Sequence, residues 1–173
     1  MTATAADLSL RYSISTAISG DSTVNKNGLG KYISQTVAPA TLNTVFDTIT
    51  QAQNQADQVD YRCVFVANLN ATDSITNVKL WLSNIAGGAL GAIGLDPNGV
   101  TAMTSSPVQA QSIANDATAP AGVAFSAPAS GSPFVIPALG PRQCFAVWVR
   151  RTASGSAAAS NDGVDLLLEG TVT

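Results

Sequence analysis

The sequence predicts an all-β fold: an antiparallel β-sandwich of jelly-roll or immunoglobulin-like type, with one short helix and an extended N-terminal arm or loop. Three observations carry this. Seven or eight short segments rich in β-branched and aromatic residues are separated by Gly, Pro, Asn and Asp clusters. Apolar residues recur with the 3.6-residue helical period in one stretch only. Two segments are apolar on both faces, as strands covered from both sides are. A chain of 173 residues fits one domain, 1–173, long enough to bury a core without staples.

The elements follow in order. Residues 7–14, DLSLRYSI, place Leu8, Leu10, Tyr12 and Ile14 on one face and Ser9, Arg11 and Ser13 on the other, a half-buried strand. Residues 15–37 are rich in Gly, Asn, Ser and Thr and read as a long loop or arm. Its apolar residues Leu29, Tyr32, Ile33 and Val37 either dock on a neighbouring subunit or fold back on the chain's own core. Residues 39–52 change period: Leu42, Val45, Phe46 and Ile49 form one helical stripe, with Thr41 as N-cap. QAQNQADQ then reads as a polar linker. Residues 60–69, DYRCVFVANL, form a central strand, NATDS a turn, and 77–83, NVKLWLS, the second strand of a hairpin. GGALGAIGLDPNGV is strand-like and ends in a Pro-Asn-Gly turn. Two short strands are expected at Val123–Phe125 and Phe134–Ile136, among prolines that suit edges. GPRQCFAVWVRR is a turn followed by a second central strand. TASGSAAASNDG is a small-residue loop, and VDLLLEGTV closes the fold as a strand.

Composition limits the function. Charged residues make up 11%, about half the usual share, and the net charge is −3. Such a surface repels other proteins weakly and suits a subunit packed in an assembly; the alternative is a monomer with a neutral polar coat. No basic run beyond Arg150-Arg151 offers a phosphate-binding patch, so no nucleic-acid partner is expected. No apolar run approaches the ~20 residues of a membrane helix, and the start lacks the pattern of a secretory signal. A reducing cytoplasm is the expected folding compartment. Cys63 and Cys144, both inside apolar strands, read as small core residues, with a disulfide as the lesser option.

The chain contains no histidine. Ser-His-Asp and Cys-His nucleophile systems and His metal ligands are therefore excluded. Most of the 11 acids fall in turns, where Asp bends or caps the chain. DPNGV and SNDGVD lack the spacing of a calcium loop, and neither GLG nor GGALGAIG is a phosphate cradle. Trp81 and Tyr32 are candidates for stacking on a sugar ring, against the plainer role of packing on neighbouring strands. No catalytic residue, metal or cofactor is expected.

Several stretches together resemble small virion structural proteins of tailed bacteriophages. They are VDYRCVFVANLNATDSITNVKLWL, TAPAGVAFS, IPALGPRQCFAVWVRRT and DLLLEG, with LSLRYSISTAISGDSTVNKNGLGKYIS as a looser match to an opening strand and arm. The chain departs from the pattern at Arg142, where a glycine is common. The resemblance implies a non-enzymatic β-sandwich of the phage particle, assembled in the host cytoplasm. It ranks a capsid decoration or cement protein first, with the major capsid protein or other virion subunits as partners and a homo-oligomer or symmetric array as its state. A tail or head–tail connector component and a receptor- or carbohydrate-binding module are the alternatives.

Within GPRQCFAVWVRR, Phe145, Val147 and Val149 are expected on one face and Cys144, Ala146 and Trp148 on the other. Arg150 and Arg151 then end the strand on opposite faces. One is expected to pair with Asp165 or Glu169 of the last strand, the other to reach a neighbouring subunit. The interface candidates are Leu29, Tyr32, Ile33, Val37, Arg150 and Arg151.

Overall fold

A computed structural model describes residues 7–15, 28–38, 40, 45–46, 50–86, 90–104, 106–153 and 163–173. Its elements are β1 (Leu8–Ile14), β2 (Tyr32–Val37), α1 (Gln51–Gln55), β3 (Val59–Asn68), β4 (Ile75–Ala86), β5 (Leu90–Ala102), β6 (Phe134–Ile136), β7 (Gln143–Thr152) and β8 (Gly163–Val172). They form two antiparallel sheets, one of five strands in the order β2-β1-β3-β7-β5 and one of three in the order β6-β4-β8. The sandwich-like all-β fold expected from the sequence is present.

The main core lies between the sheets. Leu10, Tyr12, Val64, Val66, Phe145, Val147 and Val149 of the larger sheet meet Val78, Leu80, Leu82, Ile136 and Leu166 of the smaller. Alternation places the other residues of β3 and β7 on the far face of the larger sheet. There Cys63, Phe65, Ala67, Cys144, Ala146 and Trp148 form a second core with Ile33, Ala110 and Ile113. The cover is the irregular segment 103–126, which supplies Met103, Ala110, Ile113, Val123 and Phe125. The two stretches that are apolar on both faces are thus central strands with a core on each side. They pair with each other over nine register positions, from Val59↔Thr152 to Ala67↔Cys144.

The covering segment has almost no regular structure, so its backbone groups find partners one at a time. Gln109 and Ala110 donate their N–H groups to Lys31 O, Ile113 donates to Leu29 O, and Lys31 donates back to Gln111 O. The buried Gln109 side chain accepts from Ile33 N (3.3 Å) and donates to Ala102 O (3.2 Å) and Thr104 O. Ser126 exchanges both backbone hydrogen bonds with Ile93 (2.8 and 3.0 Å). Gly30, at φ +89°, permits the closest approach: a Cβ there would collide with Gln111 O.

Five expectations change. Residues 32–37 belong to no arm; they form an edge strand on β1, and Ile33 folds back into the second core. Residues 16–27 of the expected arm lie outside the described residues. The helix comes later than the apolar stripe indicates, at Gln51–Gln55. Thr50 caps it through a reciprocal box, accepting from Gln53 N (3.3 Å) while its own N–H reaches Gln53 Oε1 (2.8 Å). Val45 and Phe46 are buried in the main core from a turn and a bend, and Thr41, Leu42 and Ile49 lie outside the described residues. β3 and β4 form no hairpin, because the chain crosses between sheets after Asn68. Fully buried Asn68 holds this corner: its amide donates to Asp73 O (2.9 Å), Leu139 O (3.0 Å) and Gly140 O (3.0 Å) and accepts from Asn70 N (2.9 Å). The Pro-Asn-Gly turn does not end its strand. It bulges out of β5 between Leu95 and Val100, with Gly99 at φ +70°. Finally, 123–125 is not a strand; only Ser126 bridges to β5.

Candidate functional site

The motif residues gather at one end of the β3–β7 ladder. Asp60 stands opposite Arg151, Tyr61 opposite Arg150, and Arg62 opposite Val149. Alternation sends Asp60, Arg62 and Arg151 to the face of the main core, and Tyr61 and Arg150 to the face of the second core.

On the first face Arg151 Nη2 donates to Asp60 Oδ2 at 2.7 Å, with the two side chains 16% and 6% exposed. Gln58 Nε2 supplies a further donor to Asp60 Oδ1 at 2.9 Å. The Arg151 guanidinium lies over the Phe46 ring at 4.5 Å, and that of Arg62 lies over the same ring at 5.8 Å. Arg62 in turn pairs with Asp116 at 3.1 Å. The ion-pair partner is therefore Asp60 rather than Asp165 or Glu169. β8 belongs to the other sheet, where Glu169 pairs with Lys79 (3.5 Å) and Asp165 stands opposite Ser83.

On the second face the Arg150 guanidinium lies over the Phe125 ring at 5.4 Å, and that ring packs against Tyr61 at 5.4 Å between centroids. Arg150 has no ion-pair or hydrogen-bond partner among the described residues, and its Nε is buried. The two arginines end the strand on opposite faces, as alternation requires.

The remaining interface candidates are dispersed. Leu29 is half-buried and packs on the second core, and Ile33 is fully buried within it. Tyr32 is half-buried opposite Ile14, and Val37 is 58% exposed at the end of β2. Trp81 is half-buried on the outer face of the smaller sheet, opposite Leu167.

The second core also contains polar groups that sequence reading missed. The buried Asp96 carboxylate accepts from Trp148 Nε1 (2.7 Å), Asn98 N (2.9 Å) and Gln111 N (3.3 Å). It ties the β5 bulge, β7 and the covering segment to one carboxylate, so DPNGV serves as a joint. The cysteines are free thiols. The ladder sets Cys63 opposite Trp148 and Cys144 opposite Ala67, four positions apart. At ~3.3 Å per residue they lie far beyond disulfide reach. Burial pushes the Cys63 thiol well up, and the Asp96 charge adds to this against a hydrogen bond from Ser13. Burial likewise pushes Cys144 up to about 11, partly offset by its hydrogen bond with Thr101. Neither is an activated nucleophile. Among the described residues no three His, Cys, Asp or Glu side chains are grouped to hold a metal ion.

Compared with protein-family models, curated proteins and solved structures, the chain gives no match.

Proposed function

We propose that this chain is a non-enzymatic structural protein of a bacteriophage particle: a capsid decoration protein that binds the major capsid shell and stabilises it. The observation that carries the reading is the use made of the YRC and WVRR motif residues. They build a central ladder with a core on each face, and two of the three arginines at its end are held in internal ion pairs, Arg151 with Asp60 and Arg62 with Asp116. That is the construction of a rigid module whose task is to present its surface. The charge-poor composition supports the same reading, because such a surface packs against neighbours with little charge to desolvate.

Electron microscopy of particles produced without the protein tests it. Heads that are fragile or fail to expand, and that regain stability when the purified protein is added, are the expected result. Intact heads lacking tails would replace decoration by a connector role. Specific binding to a glycan array, with normal heads, would replace it by a carbohydrate-binding module.

A further inference from the structure

Three arginines occupy the end of the β3–β7 ladder, and the fold treats them unequally. Arg62 and Arg151 each meet a carboxylate of this chain. Arg150 meets none among the described residues. Its Nε is buried without an acceptor, the side chain is half-buried rather than fully enclosed, and its Nη atoms make no hydrogen bond among the described residues. Phe125, itself packed on Tyr61, lies against the guanidinium, with Cζ 5.4 Å from the ring centroid.

We infer that Arg150 is the anchor through which this chain grips an acidic side chain of the capsid shell subunit. The inference rests on the decoration reading above. A partly desolvated guanidinium without a counter-charge is unfavourable, and a carboxylate arriving at its open edge removes that cost. The planar fork accepts the two oxygens of one carboxylate in parallel hydrogen bonds. The cation–π contact with Phe125 restrains the side chain beforehand, so less side-chain entropy is lost on binding. A single arginine matches one carboxylate rather than a polyanion. Nucleic acid draws on several phosphate contacts, whereas the other two arginines of this ladder end are already neutralised within the chain.

The test compares Arg150→Gln, Arg150→Lys and, as a charge-matched control, Arg142→Gln at the exposed Arg142. Each is assayed for thermal unfolding, for co-sedimentation with shells made without the protein, and for self-association by sedimentation velocity. Arg150→Gln is expected to melt like the parent and to bind shells about thirtyfold more weakly or worse. Arg150→Lys should fall between, since an ammonium cannot form the paired bonds, and Arg142→Gln should bind normally. Parental binding by Arg150→Gln overturns the inference, as does equal weakening by Arg142→Gln. Loss of self-association with shell binding intact assigns Arg150 to a second copy of this chain instead. If Arg150→Gln fails to fold, Arg150→Lys decides, and parental binding by it overturns the inference. Failure of the unaltered protein to bind any shell removes the decoration reading itself, and this partner with it.

Discussion

At the scale of single residues, two arginines show how the same side chain stabilises or strains the fold. Arg151 and Asp60 form a largely buried pair. Replacing Asp60 by Asn leaves a charge without its counter-ion, and we expect a loss of about 3 kcal/mol in urea unfolding. A loss below about 1 kcal/mol would show the pair to be dispensable. Arg142 is the opposite case. It adopts φ +54° in the turn before β7, a conformation that favours glycine. The left-handed region costs a side-chain-bearing residue about 1–2 kcal/mol, part of which glycine returns through its freer unfolded chain. Arg142→Gly should therefore stabilise the protein by about 0.5 kcal/mol, and a lower urea midpoint would contradict this. The facing of Arg150 and Arg151 was legible from alternation alone. Their partners were not, because pairing Asp60 with Arg151 requires knowing that residues 59–67 and 144–152 share a ladder.

At the scale of elements, legibility followed periodicity. β1, β4 and β8 carry two-residue alternation, β3 and β7 are continuous apolar runs, and all five form close to where those patterns indicate. The segment 103–126 forms no strand, although Val123–Phe125 reads as a short one; what the sequence shows of its role is the second apolar face on β3 and β7. Helix α1 was missed although its T-x-x-Q capping box is written in the sequence, because the apolar stripe beside it dominated the reading. The corner after β3 was read as a hairpin because Asn and Asp signal turns without saying which sheet follows. Asn68→Ala removes the donor to three carbonyls, and we expect a cost of about 2–3 kcal/mol. Gly30→Ala should act on the covering segment. Amide exchange is expected to accelerate at Gln109, Ala110 and Ile113 while the β3–β7 ladder stays protected, and uniform exchange throughout would show that the segment is not a separate unit.

At the scale of the whole molecule, the two buried thiols link stability to alkaline pH. Cys144 ionises at about 11 in the fold against an ordinary value of 9.0. Below pH 9 both states hold the proton and the fold keeps its full stability. Between pH 9 and 11 only the unfolded chain releases it, so stability falls, by about 3 kcal/mol at most for this group. Cys63 is shifted in the same direction. Urea midpoints should drop across this window and drop less in Cys144→Ala; an unchanged slope in the variant would exclude the thiol as the source. The nine-position ladder at the centre of the fold also has a bearing on when the protein can form. β3 needs β7, and β4 needs β8, from opposite halves of the chain. Contacts so distant in sequence close slowly, on the order of milliseconds to seconds. On a ribosome adding roughly 5–20 residues per second, β3 waits several seconds, apolar on both faces, for β7 to be synthesised. Nascent chains are therefore most exposed to aggregation during that interval.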